Sequence, residues 1–385
     1  MKHRIALLTN FLPPYRFAVL REWERRCESL RIFVSTPIDD GAAMLSSKSG
    51  LRVFQQRSVQ WQETRRHAHP FTEHLAIQFP YDTFAQLRKF RPDVIVSGEL
   101  GLRTLQAAAY RKLAPASRLV VWATLSEVTE QARGRVRHVL RRVLIRSADA
   151  VIVNGESGAR YVRRFGAPKD RVFRVPQTTD VASFLALPDT RGELMRHRLL
   201  YCGQLIERKG LLPFLSHLSD WAISHPGQRV EFSIAGDGPL RNLLATYSPP
   251  PNLLIKLLGH VPYDRLPEVY GQNGMFVFPT LADEWGMVVV EAMASSLPVL
   301  GSAYSQAVEE LVVDGKNGWI FRPDQPGDVR AAINRALSAS SEELDRFGMA
   351  ARQQVKTMTP VAMVDQIVSA VDYASKHFGK GARSC

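Results

Sequence analysis

Residues 275–302 read MFVFPTLADEWGMVVVEAMASSLPVLGS. MFVFPT is a continuous apolar run of strand length, the pattern of a strand buried on both faces. LADEWG reads as a loop with Gly286 near its end, and VVVEAMASS has good helix formers around Glu291. PVLGS is a second short apolar run. Strand, loop, helix, strand is the repeating unit of a parallel sheet covered by helices. In that layout Asp283 lies in the loop and Glu291 about one turn inside the helix. The backbone N–H groups of Gly286, Met287 and Val288 then have no helical acceptor, and such donors form a ready anion site. A carboxylate at each end suits one bound ligand, because a carboxylate can accept two hydrogen bonds from a diol. The bland alternative is one acid complementing a helix dipole and one solvated acid.

The same alternation runs outward in both directions. RIALLTN, LRIFVS, DVIVSG, RLVVWA and AVIVNG are candidate strands in the first half. RLLYCG, VEFSIAG, LIKLLG, MFVFPT, PVLGS and GWIF follow in the second, with helical patterns such as FAVLREWERRC and TFAQLRKF between. The rhythm breaks in VPQTTDVASFLALPDTRG, which carries two prolines and a polar cluster and reads as a linker. The expectation is an α/β chain of two doubly wound parallel-sheet domains facing a central cleft, one over 1–182 and one over 183–360. A final helix within 361–385, started by Pro360 and with Val364, Ile367, Val368 and Val371 at helical spacing, is expected to pack back on the first domain. Ligands of such sheets sit beyond the carboxyl ends of the strands.

At 385 residues the chain exceeds one ordinary core. Its 45% hydrophobic and 23% charged content is that of a folded soluble protein. No apolar run is long enough to span a bilayer. The start, MKHRIALLTNFLPPYR, has too short an apolar stretch for a signal peptide and reads as a first strand. Cys27, Cys202 and Cys385 are three and far apart, which fits a reducing cytosol better than a disulfide framework. Residues 1–184 hold 31 Lys and Arg against 16 Asp and Glu, and the remainder 19 against 21. A basic first half points to an anionic partner there. No stacking-aromatic or groove-reading motif accompanies the charge, which argues against nucleic acid.

Three glycine turns follow strands in the second half. YCGQLIERKG places Gly203 and Gln204 at a strand end and Lys209 at a helix start, where a lysine supplies a point charge for phosphate. An ordinary surface lysine is the alternative. IAGDGPLR and LGHVPYDRLPEVY repeat the arrangement, the latter with Gly259. Each turn alone is weak evidence, but together they would line one sheet edge.

These stretches resemble the nucleotide-sugar domain of family 4 glycosyltransferases of the two-Rossmann, or GT-B, fold. The matching segments are YCGQLIERKG, SIAGDGPLR, LLGHVPYDRLPEVY, FPTLADEWGMVVVEAMASSLPV and EELVVDGKNGWIF, over residues 197 to about 330. ADAVIVNGESGARYVRRFGAPKDRVFRVPQTTD and LTNFLPPYR extend the resemblance more weakly. It implies a retaining transfer from a nucleoside-diphosphate sugar to an acceptor hydroxyl, with no cofactor and no metal. It makes 183–360 the donor domain and 1–182 the acceptor domain. Glu291 would hold the ribose hydroxyls, and Asp283 would contact the transferred sugar where the family usually has glutamate. Lys209 would grip the diphosphate. Gln204 stands where arginine is usual, and Ser305-Gln306-Ala307 replaces paired glycines. Physically, Lys209 and the amides of 286–288 are aimed where leaving-group charge grows.

No Asp-x-Asp pair occurs, which argues against a metal-clamped diphosphate. HAHPFTEH at 67–74 holds three histidines but no ligand pair of helical spacing. In the first half, Arg16 after NFLPP and Glu127 after RLVVWA are candidate acceptor-side residues. Arg133, Arg135, Arg137, Arg141 and Arg142 come with no acid among them and with valines and leucines interleaved. That pattern reads as a basic amphipathic helix for an anionic membrane surface, or as a solvated face. A membrane face fits a glycan or lipid-linked acceptor, and a cytoplasmic enzyme peripheral on the inner face of the membrane. Two other readings stay open: a sugar-nucleotide epimerase or hydrolase of the same fold, and a non-catalytic assembly subunit.

Overall fold

The computed structural model describes residues 3–37, 50–66, 72–131 and 134–377. The chain divides into two compact units. The first takes its described residues up to Asp180 and again from Met358, and the second spans Val181–Thr357.

Among the described residues the first unit holds nine strands: β1 (Arg4–Thr9), β2 (Ser29–Val34), β3 (Arg52–Gln55), β4 (Ser58–Arg66), β5 (Thr72–Pro80), β6 (Val94–Ser97), β7 (Arg118–Ala123), β8 (Ala150–Val153) and β9 (Val172–Arg174). Seven form a sheet of order β3-β2-β1-β6-β7-β8-β9, while β4 and β5 pair separately. The ladders of the large sheet are parallel. Its central strands are apolar on both sides because helices cover both faces. Trp23, Ile32, Val96 and Ile152 fill one side with Val364, Ile367 and Val371 of helix Pro360–His377. Leu8, Phe90, Val121 and Leu144 fill the other.

The second unit holds β10 (Arg198–Cys202), β11 (Val230–Ala235), β12 (Leu253–Gly259), β13 (Met275–Phe278), β14 (Val299–Ser302) and β15 (Gly318–Phe321). Their order is β12-β11-β10-β13-β14-β15, again parallel. This is the doubly wound order in which the direction of winding reverses beside the first strand. Phe214, Leu215, Leu218 and Trp221 of helix Leu211–Ser224 pack on Phe232, Val277 and Phe321.

The strands read from apolar runs are all present. Four that were not read are β3, β4, β5 and β9. β3 is an edge strand with three of its four residues exposed, and SVQWQETRR in β4 is largely polar. These two carry no apolar run, so the sequence pattern has nothing to mark them, and β9 is only three residues long.

Candidate active site

In the second unit the winding reverses between β10 and β13, so the loops after these two strands leave the sheet in opposite directions and open a crevice. The loop after β10 makes a single turn over Glu207–Lys209, and Gly210 then leads into helix Leu211–Ser224. Lys209 closes that turn, two residues before the helix begins. Gly210 has φ +66°, and a Cβ there would lie 2.1 Å from the Pro279 carbonyl oxygen. Only glycine lets the two loops approach this closely. They are then tied: the Leu281 N–H donates to the Arg208 carbonyl at 2.8 Å, and Thr280 Oγ1 donates to the same oxygen at 3.2 Å.

That clamp sets Lys209 Nζ against the Asp283 carboxylate as an ion pair, with both side chains nearly buried. Asp283 Oδ1 also accepts from the Trp285 N–H at 3.1 Å. Burial pushes the Asp283 carboxyl up. Lys209 and Arg208 more than offset this and hold it below the ordinary aspartate value. Arg208 itself reaches Glu284 Oε2 at 3.1 Å.

Gly286 has φ +106°, and a Cβ there would meet the Phe278 ring at 2.8 Å. The turn it permits starts helix Met287–Ala294, as the sequence indicated, with Glu291 one turn inside. The first amides of that helix, Met287 and Val288 among them, have no carbonyl one turn back to bond. Ser305-Gln306-Ala307 fastens the preceding loop. Ser305 Oγ donates to the Trp285 carbonyl at 2.6 Å, Gln306 Nε2 donates to the Glu284 carbonyl at 2.6 Å, and the Ala307 N–H donates to the Trp285 carbonyl at 2.9 Å.

Glu291 is 3% exposed. Its Oε2 accepts from the Tyr270 hydroxyl at 3.0 Å, and Tyr263 also bonds it. Burial raises its carboxyl to about 7, and the two tyrosines only partly counter this. Burial likewise pushes the nearby Cys202 thiol up to about 12, so it is inert as a nucleophile. Beyond the ends of β10, β11 and β12, a cavity of about 310 Å³ is lined by Gly203, Gln204, Gly236, Asp237 and His260. The Gly236 N–H donates to the Gly259 carbonyl at 2.7 Å, so the glycine turns lie side by side. Gln204 is exposed there and carries no charge.

The residues singled out in the first unit do not form one group. The Arg16 guanidinium lies 5.6 Å from the centre of the Trp122 ring. Glu127 pairs with Arg160 at 2.8 Å and Arg164 at 2.9 Å. On helix Arg135–Ser147, Arg141 is buried at 8% exposure and pairs with Glu130 at 2.5 Å. It is therefore no part of an outward basic face, because an uncompensated acid at Glu130 needs it inside. Arg137 pairs with Glu63 at 3.5 Å. Arg142 is exposed, as are Val136, Val139 and Val143. Arg133, His67, His69 and the side chains of Arg135 and His74 lie outside the described residues.

Sequence reasoning missed Arg208, Tyr263 and Tyr270, and marked Gln306 only as part of the stretch that replaces paired glycines. Arg208 adjoins Lys209, and both tyrosines sit in the quoted stretch after Gly259. No rule of spacing marks them, since their roles come from loops that meet only in the fold.

Two family models match the chain. One described as "Glycosyl transferases group 1" matches residues 196–339, and one described as "Glycosyl transferase 4-like domain" matches residues 14–178. Among curated relatives, the sulfoquinovosyl transferase SQD2 of Arabidopsis thaliana is 26% identical over 294 residues, 71% of this chain and 55% of that protein. The chain spans about half the length of the curated relatives it matches first, 55% and 39% of them. Among solved structures, Anabaena Alr3699/HepE in complex with UDP-glucose has a TM-score of 0.70 at 14% identity, over 96% of this chain and 99% of that one. Sucrose-phosphate synthase from Thermosynechococcus elongatus has a TM-score of 0.69 at 18% identity, over 96% and 98%. The fold is thus GT-B, and the chain belongs to the group 1 glycosyltransferases of the family 4 type.

Proposed function

We propose that this protein is a retaining glycosyltransferase that moves a sugar from a nucleoside-diphosphate sugar to a hydroxyl of a glycan or lipid-linked acceptor. The observation that carries this reading is the buried Lys209–Asp283 pair at the switch point of the second sheet, beside a helix N-terminus. The bond from the anomeric carbon to the diphosphate breaks, the acceptor oxygen bonds that carbon, and the acceptor proton leaves with the departing phosphate or to solvent. Lys209 and the amides of 286–288 stabilise the charge on the leaving group. Asp283 positions the sugar, Glu291 takes the ribose hydroxyls, and the cavity by Gln204 takes the base. Binding of UDP and UDP-glucose by the structural neighbour supports a uridine nucleotide. No step here calls for a metal or a cofactor. The first unit holds the acceptor.

Thermal unfolding of the protein with UDP, GDP, ADP and CMP in parallel tests this. At 100 times its dissociation constant, one nucleotide should stabilise by about 2.7 kcal/mol and raise the midpoint by a few degrees. Gln204, uncharged and exposed, favours one rival, a non-catalytic assembly subunit. Absence of any shift would select it.

We further propose docking on the inner membrane face through helix Arg135–Ser147. Its outward side carries Val136, Val139 and Val143, 85%, 64% and 53% exposed, beside Arg142. Among the described residues no helix is long and apolar enough to cross a membrane. Vesicles rich in phosphatidylglycerol should co-sediment the protein, and Val139→Asp with Arg142→Glu should cut the bound fraction about tenfold. Equal sedimentation of the double variant would remove this role.

A further inference from the structure

The winding of the first sheet also reverses, between β1 and β6. Beyond the ends of these strands lies a second cavity, of about 450 Å³, within the usual range of small-molecule sites. Asn10, which follows β1, and Glu99, which follows β6, line its floor. The β4-β5 pair forms a wall with Trp61 and Glu63, and helix Arg135–Ser147 adds Arg137. The floor is built on a guanidinium. Arg103 is 1% exposed and holds Ser35 Oγ at 2.7 Å, Asn10 Oδ1 at 3.3 Å and Glu99 Oε1 at 3.2 Å. A Cβ on Gly101 would lie 3.1 Å from that same Glu99 oxygen, so a side chain there would displace the carboxylate. The wall is cross-tied too: Ser58 Oγ donates to Gln78 Oε1 at 3.0 Å, and Gln78 Nε2 donates to Gln60 Oε1 at 2.9 Å.

The charges decide what fits. Three carboxylates line the cavity, and each has its own guanidinium: Glu99 with Arg103, Glu63 with Arg137, and Glu130 with Arg141. An anionic ligand would have to displace a carboxylate from its arginine, a poor exchange in a half-buried site. Yet a paired carboxylate keeps spare lone pairs, and a paired guanidinium keeps spare N–H groups. Both sorts of partner are what alternating hydroxyls need. Trp61 lines the cavity 42% exposed, a flat apolar face that no core contact requires at the surface. An aromatic face beside balanced polar groups matches a ring that is apolar on its faces and hydroxylated at its rim.

We infer that the cavity at the switch point of the first unit is a subsite for a neutral pyranose, stacked on Trp61 and held through Glu63, Glu99 and Asn10. This deepens, and rests on, the reading of the first unit as the acceptor side. It means that the acceptor presents an uncharged sugar here and not a phosphorylated one.

The test is saturation-transfer NMR on the full chain with methyl glycosides of glucose, galactose and mannose, without any nucleotide. At least one should bind, Trp61→Ala should weaken it about tenfold or more, and Trp61→Phe should retain most of the affinity. Inorganic phosphate should not displace it. No binding by any of the three, equal binding by Trp61→Ala, or displacement by phosphate each overturns the inference. The UDP melting shift, read on wild type and on Trp61→Ala, reports the donor site separately. A failed pyranose site with an intact UDP shift thus leaves the transferase reading standing. A UDP shift lost from wild type strikes that reading alone.

Discussion

Asp283→Ala should abolish sugar transfer without weakening nucleotide binding. The two effects separate because Asp283 and Lys209 do different things from one contact. Lys209 is held by Asp283, with both side chains nearly buried. Removing the carboxylate leaves a half-desolvated ammonium without its partner, which costs on the order of 3 kcal/mol. A diphosphate replaces the lost anion, so UDP should raise the melting midpoint of the variant more than that of wild type. Transfer fares differently. If Asp283 fixes the reacting sugar, its loss misplaces the anomeric carbon, and a misplacement of about 1 Å can cost roughly 100-fold in rate. Turnover measured at saturating donor should therefore collapse, while calorimetry with UDP shows unchanged or tighter binding. Loss of binding and turnover in equal measure would sink the assigned role. Asp283→Asn separates charge from shape: it keeps the acceptor oxygen for the Trp285 N–H, yet should be nearly as inactive.

The part of this site that could be read in advance is the part that lies close together in sequence. MFVFPTLADEWGMVVVEAMASS fixes a strand, a loop and a helix, so Gly286 at the turn and Glu291 one turn in follow from local pattern alone. Lys209 was legible as a charge in a glycine turn. Its pairing with Asp283, 74 residues away, was not, since it depends on Gly210 letting one loop touch the carbonyl of Pro279. Arg141 shows the reverse failure. In sequence it has no acid near it and joins a basic run. In the fold Glu130 lies across from it, and the tyrosine of the next helix, Tyr161, donates to the same carboxylate at 3.2 Å. Charge runs report neighbours along the chain, whereas burial is decided by neighbours across it. Strand β4 was invisible for a related reason: SVQWQETRR is largely polar, and the strand pairs with β5 outside the large sheet.

Glu291→Gln should stabilise the protein at pH 8 and at the same time weaken its grip on nucleotide. The wild-type carboxyl titrates near 7 in the fold, mainly because it is buried, against an ordinary value of 4.5. Between those two pH values the unfolded chain has lost the proton and the folded chain still holds it. The folded state binds more protons there, so stability falls as pH rises through that window and levels off above 7. The full penalty is on the order of 3 kcal/mol, at roughly 1.4 kcal/mol per pH unit. Glutamine keeps the shape and can still accept from the Tyr270 hydroxyl, but it has no proton to lose. Its stability curve should be flat across that window and should lie above that of wild type at pH 8. A ribose diol pays the opposite sign: it donates best to the ionised carboxylate, and hydrogen bonds to a charged partner contribute about 1.5–3 kcal/mol. Wild-type affinity for UDP should therefore improve as pH rises towards 7 and then level, beyond the change that the phosphate itself brings. The glutamine variant should show only the phosphate's own titration, near 6, and should bind about 10- to 100-fold more weakly at pH 8. Chemical denaturation and UDP calorimetry at pH 5.5, 6.5, 7.5 and 8.5, done on both proteins, read both signs at once. Parallel pH curves for the two proteins would mean that Glu291 is already ionised in the fold. An unchanged UDP affinity would mean that its carboxylate belongs to the core and not to the ligand.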